Sequence, residues 1–159
     1  MMNATFPYLS VNQSWYIRPE GGRERITAGG VVFRVDANGR VLVALTREHD
    51  VPHYVLPKGG VEATDPDLEA AARREVQEEI GLSELETICY LGKRGRLCLY
   101  RRNWQVQHFF LFTTTQESGI ATDPNPLGLF WFPVSDLPEL FWPEQRELIL
   151  EGLGRSVLQ

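Results

Sequence analysis

The chain reads as an α/β protein, a mixed β-sheet covered by helices. Three observations predict this. Apolar runs rich in Val, Phe, Tyr and Trp recur over residues 26–45 and 85–115, the pattern of half-buried strands. A helical apolar period occupies the middle of the chain, and a second one closes it. Strands with helices at the middle and the end, rather than strict βα alternation, suit a mixed sheet with helices laid on it.

The elements follow in order. Residues 1–25 form an extension whose Phe6, Tyr8, Trp15 and Tyr16 are too apolar for a free tail, so part of it is expected to pack on the domain. Residues 26–35 make the first strand. Asn38-Gly39 is a two-residue hairpin signal, and residues 41–45 return as its partner. Residues 46–53 are polar and read as a loop. Tyr54-Val55-Leu56 is a short strand delivering the chain to a Lys58-Gly59-Gly60 loop. The central helix has Asp65 as N-cap, Pro66 as first residue and Gly81 as stop. Residues 85–115 are β-rich, with breaks near 92–95 and at Arg102-Asn103. Residues 119–128, with Asp123-Pro124-Asn125-Pro126, are a loop. Phe130-Trp131-Phe132 is short and apolar. Residues 143–151 form the closing helix, with Leu148 and Ile149 inward and Gly152 after it.

At 159 residues the chain suits a single domain spanning 1–159. Its 43% hydrophobic and 23% charged content is ordinary for a globular protein. No apolar run approaches the ~20 residues that span a bilayer, and the N-terminus lacks a signal-peptide pattern, so the expected compartment is the cytoplasm. A net charge of −5 argues against a general nucleic-acid polymer binder but leaves room for a small phosphorylated substrate. Cys89 and Cys98 have no zinc-like spacing; a hairpin centred on Lys93-Arg94 would set them opposite each other.

The central helix carries the chemistry. Leu68, Ala71, Ala72, Glu75, Val76 and Glu79 fall on one buried stripe, so two carboxylates occupy apolar places, with Glu78 on the flank. A solvated helix salt-bridged by Arg73 and Arg74 would carry its charges on the other face. Carboxylates turned to a low-dielectric interior cost several kcal/mol unless paired, and a hard divalent cation bound by oxygens relieves that cost. Ahead of the helix, Gly59-Gly60 lets the backbone approach a ligand closely, and Lys58 can set an ammonium on a phosphate.

These residues resemble the Nudix box of Nudix hydrolases, G-x5-E-x7-R-E-U-x-E-E-x-G-U with U aliphatic. Arg74-Glu75-Val76-Gln77-Glu78-Glu79-Ile80-Gly81-Leu82 matches its second half at every defined position. In the first half, counting from Gly59 reaches Asp65 instead of Glu, with one residue too many before Arg74; counting from Gly60 reaches Pro66. A one-residue insertion near Thr64 to Asp67 accounts for this, with Asp65 or Glu62 in the outer acidic role. The resemblance implies an α/β/α sandwich and cleavage of a pyrophosphate bond in a nucleoside diphosphate linked to a second group. It implies Mg²⁺ or Mn²⁺ held by Glu75 and Glu79, with Glu78 and the carbonyl of Gly59 or Gly60 as further ligands. Arg74 would hold a glutamate by a bidentate contact. Glu78 or Glu79 would be the general base, with Glu117, in a later loop, as the candidate outside the box.

Finer features point to a branch. A proline expected about fifteen residues past the box in the ADP-ribose branch is absent at Arg96-Leu97-Cys98, and the coenzyme A motif is not found. The tyrosine about eighteen residues past the box in the dinucleoside polyphosphate branch is matched by Tyr100. The implied substrates are dinucleoside polyphosphates such as diadenosine tetraphosphate, with oxidised guanine nucleotides alongside. The alternatives are a dedicated nucleotide-pool sanitiser and a non-catalytic nucleotide sensor. Lys58, Gly60 and Tyr100 are the substrate-binding candidates. Lys93, Arg94, Arg96, Arg101 and Arg102 could meet a polyphosphate or simply form a charged edge; Tyr54, Trp104 or His108 could stack on a base. A homodimer fits the β-rich middle and the aromatic extension.

Overall fold

The computed structural model describes residues 10–156. Strand β1 (Glu24–Val35) is the spine. The chain turns at Asp36, whose carboxylate accepts from the N–H groups of Asn38 and Arg40, and at Gly39, φ 79°. It returns as β2 (Val41–Arg47). Short strands β3 (Tyr54–Val55) and β4 (Lys58–Gly60) lead to helix α1 (Leu68–Ile80). Strands β5 (Glu86–Leu97), β6 (Trp104–Thr113) and β7 (Phe130–Pro133) precede helix α2 (Pro143–Arg155). The sheet runs β3-β2-β1-β6-β5, with β4 paired to β1 and β7 to β2. β1 and β6 are parallel and the other strand pairs antiparallel, so the sheet is mixed.

Alternation along β1 divides the core between two faces. Ala28 and Val32 join Ala71, Ala72, Val76 and Ile80 of α1. Val31 and Phe33 join Leu148 and Ile149 of α2. The result is the expected α/β/α sandwich. A third cluster seats the N-terminal segment: a 3-10 turn at Gln13–Tyr16 buries Trp15 against Val55, Leu97, Phe141 and Trp142. Phe6 and Tyr8 lie outside the described residues.

Several boundaries differ from the sequence reading. Asp67, not Asp65, caps α1, accepting from Ala70 N–H. Lys58-Gly59-Gly60 is a strand rather than a loop, because the glycines let it lie against β1. β2 runs through Thr46 and Arg47, where β3 supplies a partner. β5 continues through Lys93 and Arg94; the hairpin lies further on, where Cys98 N–H donates to Asn103 O and Arg101 N–H to Cys98 O. Cys89 therefore faces Leu111, and both thiols are free. α2 passes through Gly152, which lies close to Leu111 and Phe33 of the sheet.

Candidate functional site

Helix α1 stops where expected, at Gly81 (φ 77°), whose N–H donates to Gln77 O. Its buried stripe includes Glu75, 8% exposed. Gly59 of β4 covers that carboxylate: a Cβ at 59 would stand 2.2 Å from Glu75 Oε2. One turn on, Glu79 Oε2 accepts from Lys58 N–H at 3.1 Å.

Arg74 organises the acids. Its Nε and Nη2 each donate to Asp65 at 2.8 Å, a bidentate pair, and Nη2 also reaches Gly60 O at 3.0 Å. Nη1 donates to Glu75 Oε1 at 2.9 Å and Glu78 Oε2 at 3.2 Å. The two-pronged hold expected on a glutamate thus falls on Asp65, while Glu75 and Glu78 share one nitrogen. Of the two candidates for the outer acidic role, Asp65 holds Arg74 more closely, a contact that draws it away from capping the helix, and Glu62 stands 3.6 Å from Arg74. Gly60 O is already engaged, leaving Gly59 O as the carbonyl candidate.

The electrostatics differ sharply across these groups. Burial pushes Glu75 above the usual carboxylate range. Burial, followed by Glu48 and Glu75, pushes Glu79 up much further against the pull of Lys58. Lys58 is lowered by burial and then by Arg96. Asp65 is held down to about 2 by its hydrogen bond from Arg74, and Arg74 is raised in return.

Three recesses meet here. Glu75 opens on one of about 610 Å³ with Arg25, Ile26, Val61 and Glu62. Glu79 opens on one of about 400 Å³ with Glu48, His49, Asp50, Asp123 and Asn125. Lys58 opens on one of about 300 Å³ with Arg25, Glu48, Arg96, Tyr100 and Arg102, and its Nζ lies 3.4 Å from Gln105 Oε1. Tyr100 is therefore brought to Lys58, its hydroxyl donating to Asp50 at 2.5 Å. The loop at 119–128 is fastened to the helix: Thr122 and Asp123 N–H both donate to Glu78 O, and Gly119 sits so close to Gly81 that a Cβ would fall 1.9 Å from Gly81 O.

Other candidates fall elsewhere. Glu117, its side chain 78% exposed, pairs with Arg34 at 3.6 Å and lines a recess with Ser83, Glu84 and Thr114, away from Glu79. The basic stretch disperses: Arg96 is 1% exposed and paired with Glu144, Arg94 pairs with Glu151, and Arg101 lies over Trp15. Tyr54 packs on Phe130 and Phe132, and Trp104 on Gly95. Arg25 and Glu48 were missed. Arg25 lies against Gly60 and lines two recesses; its signal is the alternation Arg25, Thr27 at the polar start of β1.

Among the described residues no three Asp, Glu, His or Cys side chains are already gathered into a metal cage. The residues nevertheless fit a hard divalent cation. Buried Glu75 and half-buried Glu79 lack full cationic compensation, the donors are all oxygen, and Gly59 leaves backbone room beside Glu75. Mg²⁺ in particular keeps several waters and needs only one or two carboxylates.

Comparison with known proteins agrees with this geometry. The model of the NUDIX domain matches residues 24–151. The chain is 34% identical over 160 residues to an RNA pyrophosphohydrolase of Rhodospirillum rubrum, covering 84% of this chain and 95% of that protein. The NUDIX domain of Shewanella oneidensis NrtR, solved with ADP ribose, superposes with TM-score 0.67 at 19% identity, covering 83% of this chain and 88% of that one. A binary complex of a C. elegans Ap4A hydrolase gives 0.66 at 19% identity, covering 82% and 95%.

Proposed function

This chain belongs to the NUDIX family and is a pyrophosphohydrolase, and from that premise we propose that it cleaves nucleoside 5′-polyphosphates in a divalent-cation-dependent reaction. Diadenosine tetraphosphate is the leading substrate and oxidised guanine nucleotides a related one. The observation that carries this reading is the convergence of buried Glu75 and half-buried Glu79 on the glycine strand β4, with Arg74 pinning Glu75.

Glu75, Glu79, the Gly59 carbonyl and Glu78 would hold the cation, Mg²⁺ or Mn²⁺. What such a cation supplies when bound is neutralised phosphoryl charge and a more acidic water. Arg74 keeps Glu75 and Glu78 from splaying apart, because one nitrogen serves both. Lys58, Arg25 and Arg102 line the neighbouring recess and offset the charge of the phosphate chain, with Tyr100 on its wall and Gly60 giving Arg25 room. Glu78, held by a single contact from Arg74, is the base for the attacking water, and Glu79 the alternative.

A second reading is an RNA 5′-polyphosphate end as substrate, favoured by the name of the Rhodospirillum rubrum relative. It would overturn the expectation that no nucleic-acid polymer is bound. The test is a product assay with EDTA controls. ATP plus AMP from diadenosine tetraphosphate supports the first reading, and turnover of a 5′-triphosphorylated RNA oligomer alone supports the second. Tight binding of nucleotides with no products in either cation would leave only a sensor.

A further inference from the structure

Gly59, Ala28 and His108 form one row across the sheet, each directly paired with the next. Directly paired residues face the same side. Here that is the side on which Gly59 meets Glu75 and Ala28 meets α1. His108 thus stands two strand spacings, roughly 10 Å, from Gly59. Beside it Tyr90 of the edge strand β5 is 42% exposed. Its hydroxyl lies 2.8 Å from His108 Nδ1, the ring centroids are 5.9 Å apart, and the planes differ by 28°. The contact holds the two tilted rings together as one aromatic plate, flanked by Phe110 at 5.1 Å from the Tyr90 ring.

Local backbone geometry accompanies the plate. The register of β5 shifts between Tyr90 and Gly92, and a bulge of this kind re-aims a side chain. Tyr90, opposite Phe110, turns its hydroxyl to His108. Ala28, in the middle of the row, is buried under α1, and the open part of the sheet lies beside it, one residue pair along. Ile26 is 45% exposed, lines the Glu75 recess and pairs directly with half-buried Val106, two residues from His108. Aromatic side chains on a sheet often do no more than pack. Here Tyr90 is exposed and His108 half-buried, and the pair is fixed by its own hydrogen bond and level with Glu75.

We infer that the Tyr90–His108 plate is a nucleobase-stacking subsite: the base of the nucleotide whose phosphates reach Glu75 lies on it, across the α1 side of the sheet. The inference rests on the nucleotide substrate proposed above. A planar base fits because stacking on aromatic faces tolerates any base and needs no charge. Both rings are uncharged at neutral pH, His108 held low by burial and Lys93, Tyr90 raised by burial. The roughly 10 Å between Gly59 and His108 is about the span of a ribose between phosphate and base, and the sugar would pass over Ile26 and Val106, beside buried Ala28.

Two measurements on the full chain test this. In steady-state kinetics on diadenosine tetraphosphate, Tyr90→Ala should raise KM about tenfold and kcat should change less than KM, while Tyr90→Phe, which keeps the ring, should raise KM less than about threefold. By NMR, AMP should shift the His108 ring signals and ribose 5-phosphate should not. Where turnover occurs, the subsite requires both signals: an unchanged KM, or a KM rise with His108 unmoved by AMP, overturns it. An AMP-dependent shift with no turnover of any nucleotide leaves the stacking subsite standing and defeats the substrate reading instead.

Discussion

Glutamates on the two helices meet very different company. Glu144, at the start of α2, is 6% exposed and fully matched. Arg96 Nε donates to it at 2.7 Å, Tyr16 hydroxyl at 2.5 Å, and the Arg96 guanidinium lies 3.3 Å from the centre of the Trp142 ring. Glu75 is as deeply placed on α1 yet shares one arginine nitrogen with Glu78, and half-buried Glu79 accepts the Lys58 N–H. One burial is closed, an ion pair that ties the N-terminal segment, β5 and α2 together. The other is left short of positive charge. Burial of a carboxylate does not by itself mark a site; burial without a complete partner set does.

Breaking the closed side should cost most in stability. Glu144→Ala leaves Arg96 buried and unpaired, which typically costs 3–5 kcal/mol, about the stability loss expected by urea titration. A loss below about 1 kcal/mol would remove the contrast. The open side should respond in turnover. Glu79→Gln should lower cation-dependent activity by on the order of a hundredfold, while its cation-free melting temperature stays level or rises. Added Mg²⁺ or Mn²⁺ at about 100 times its Kd should stabilise the unmodified chain by about 2.7 kcal/mol and the Gln variant much less. A variant that keeps both its rate and its cation response would sink the assignment.

Asp65 sharpens the comparison through pH. Its folded carboxyl is held at about 2 by Arg74, whereas an unfolded one titrates near 3.9, so its contribution is complete above the unfolded value and lost as pH falls through about 2. Asp65→Asn should therefore cost about 1 kcal/mol at pH 7 and close to nothing at pH 2, read from denaturation midpoints at the two pH values. The smallest effect is expected for Tyr16→Phe, which removes one hydrogen bond to Glu144 that Arg96 still neutralises: under about 1 kcal/mol, with turnover unchanged.

Much of this arrangement was legible in the residues. The stripe through Ala71, Glu75 and Val76, the Gly81 stop and the box itself are local patterns, and local patterns survive folding. What escaped depended on distant partners. Asp65 looked like a cap until Arg74, nine residues on, claimed both its oxygens. Arg96 looked like surface charge within a basic run, but Glu144, 48 residues away, draws it inside. Lys58-Gly59-Gly60 read as a loop because the strand that pairs with it lies some thirty positions earlier. The reach of Arg25 into two recesses was hidden because polar strand ends carry no apolar signature.

The seat of Gly119 on Gly81 has a practical consequence for anyone redesigning substrate preference. Grafting a foreign segment between Thr115 and Leu129 is the obvious way to remodel the Glu79 recess, since Asp123 and Asn125 line it. A graft that places any larger residue at 119 would lever the segment off the helix end and release the Glu78 carbonyl from its two donors. Libraries for such engineering should hold glycine at 81 and 119 fixed and spend their diversity on 123–126.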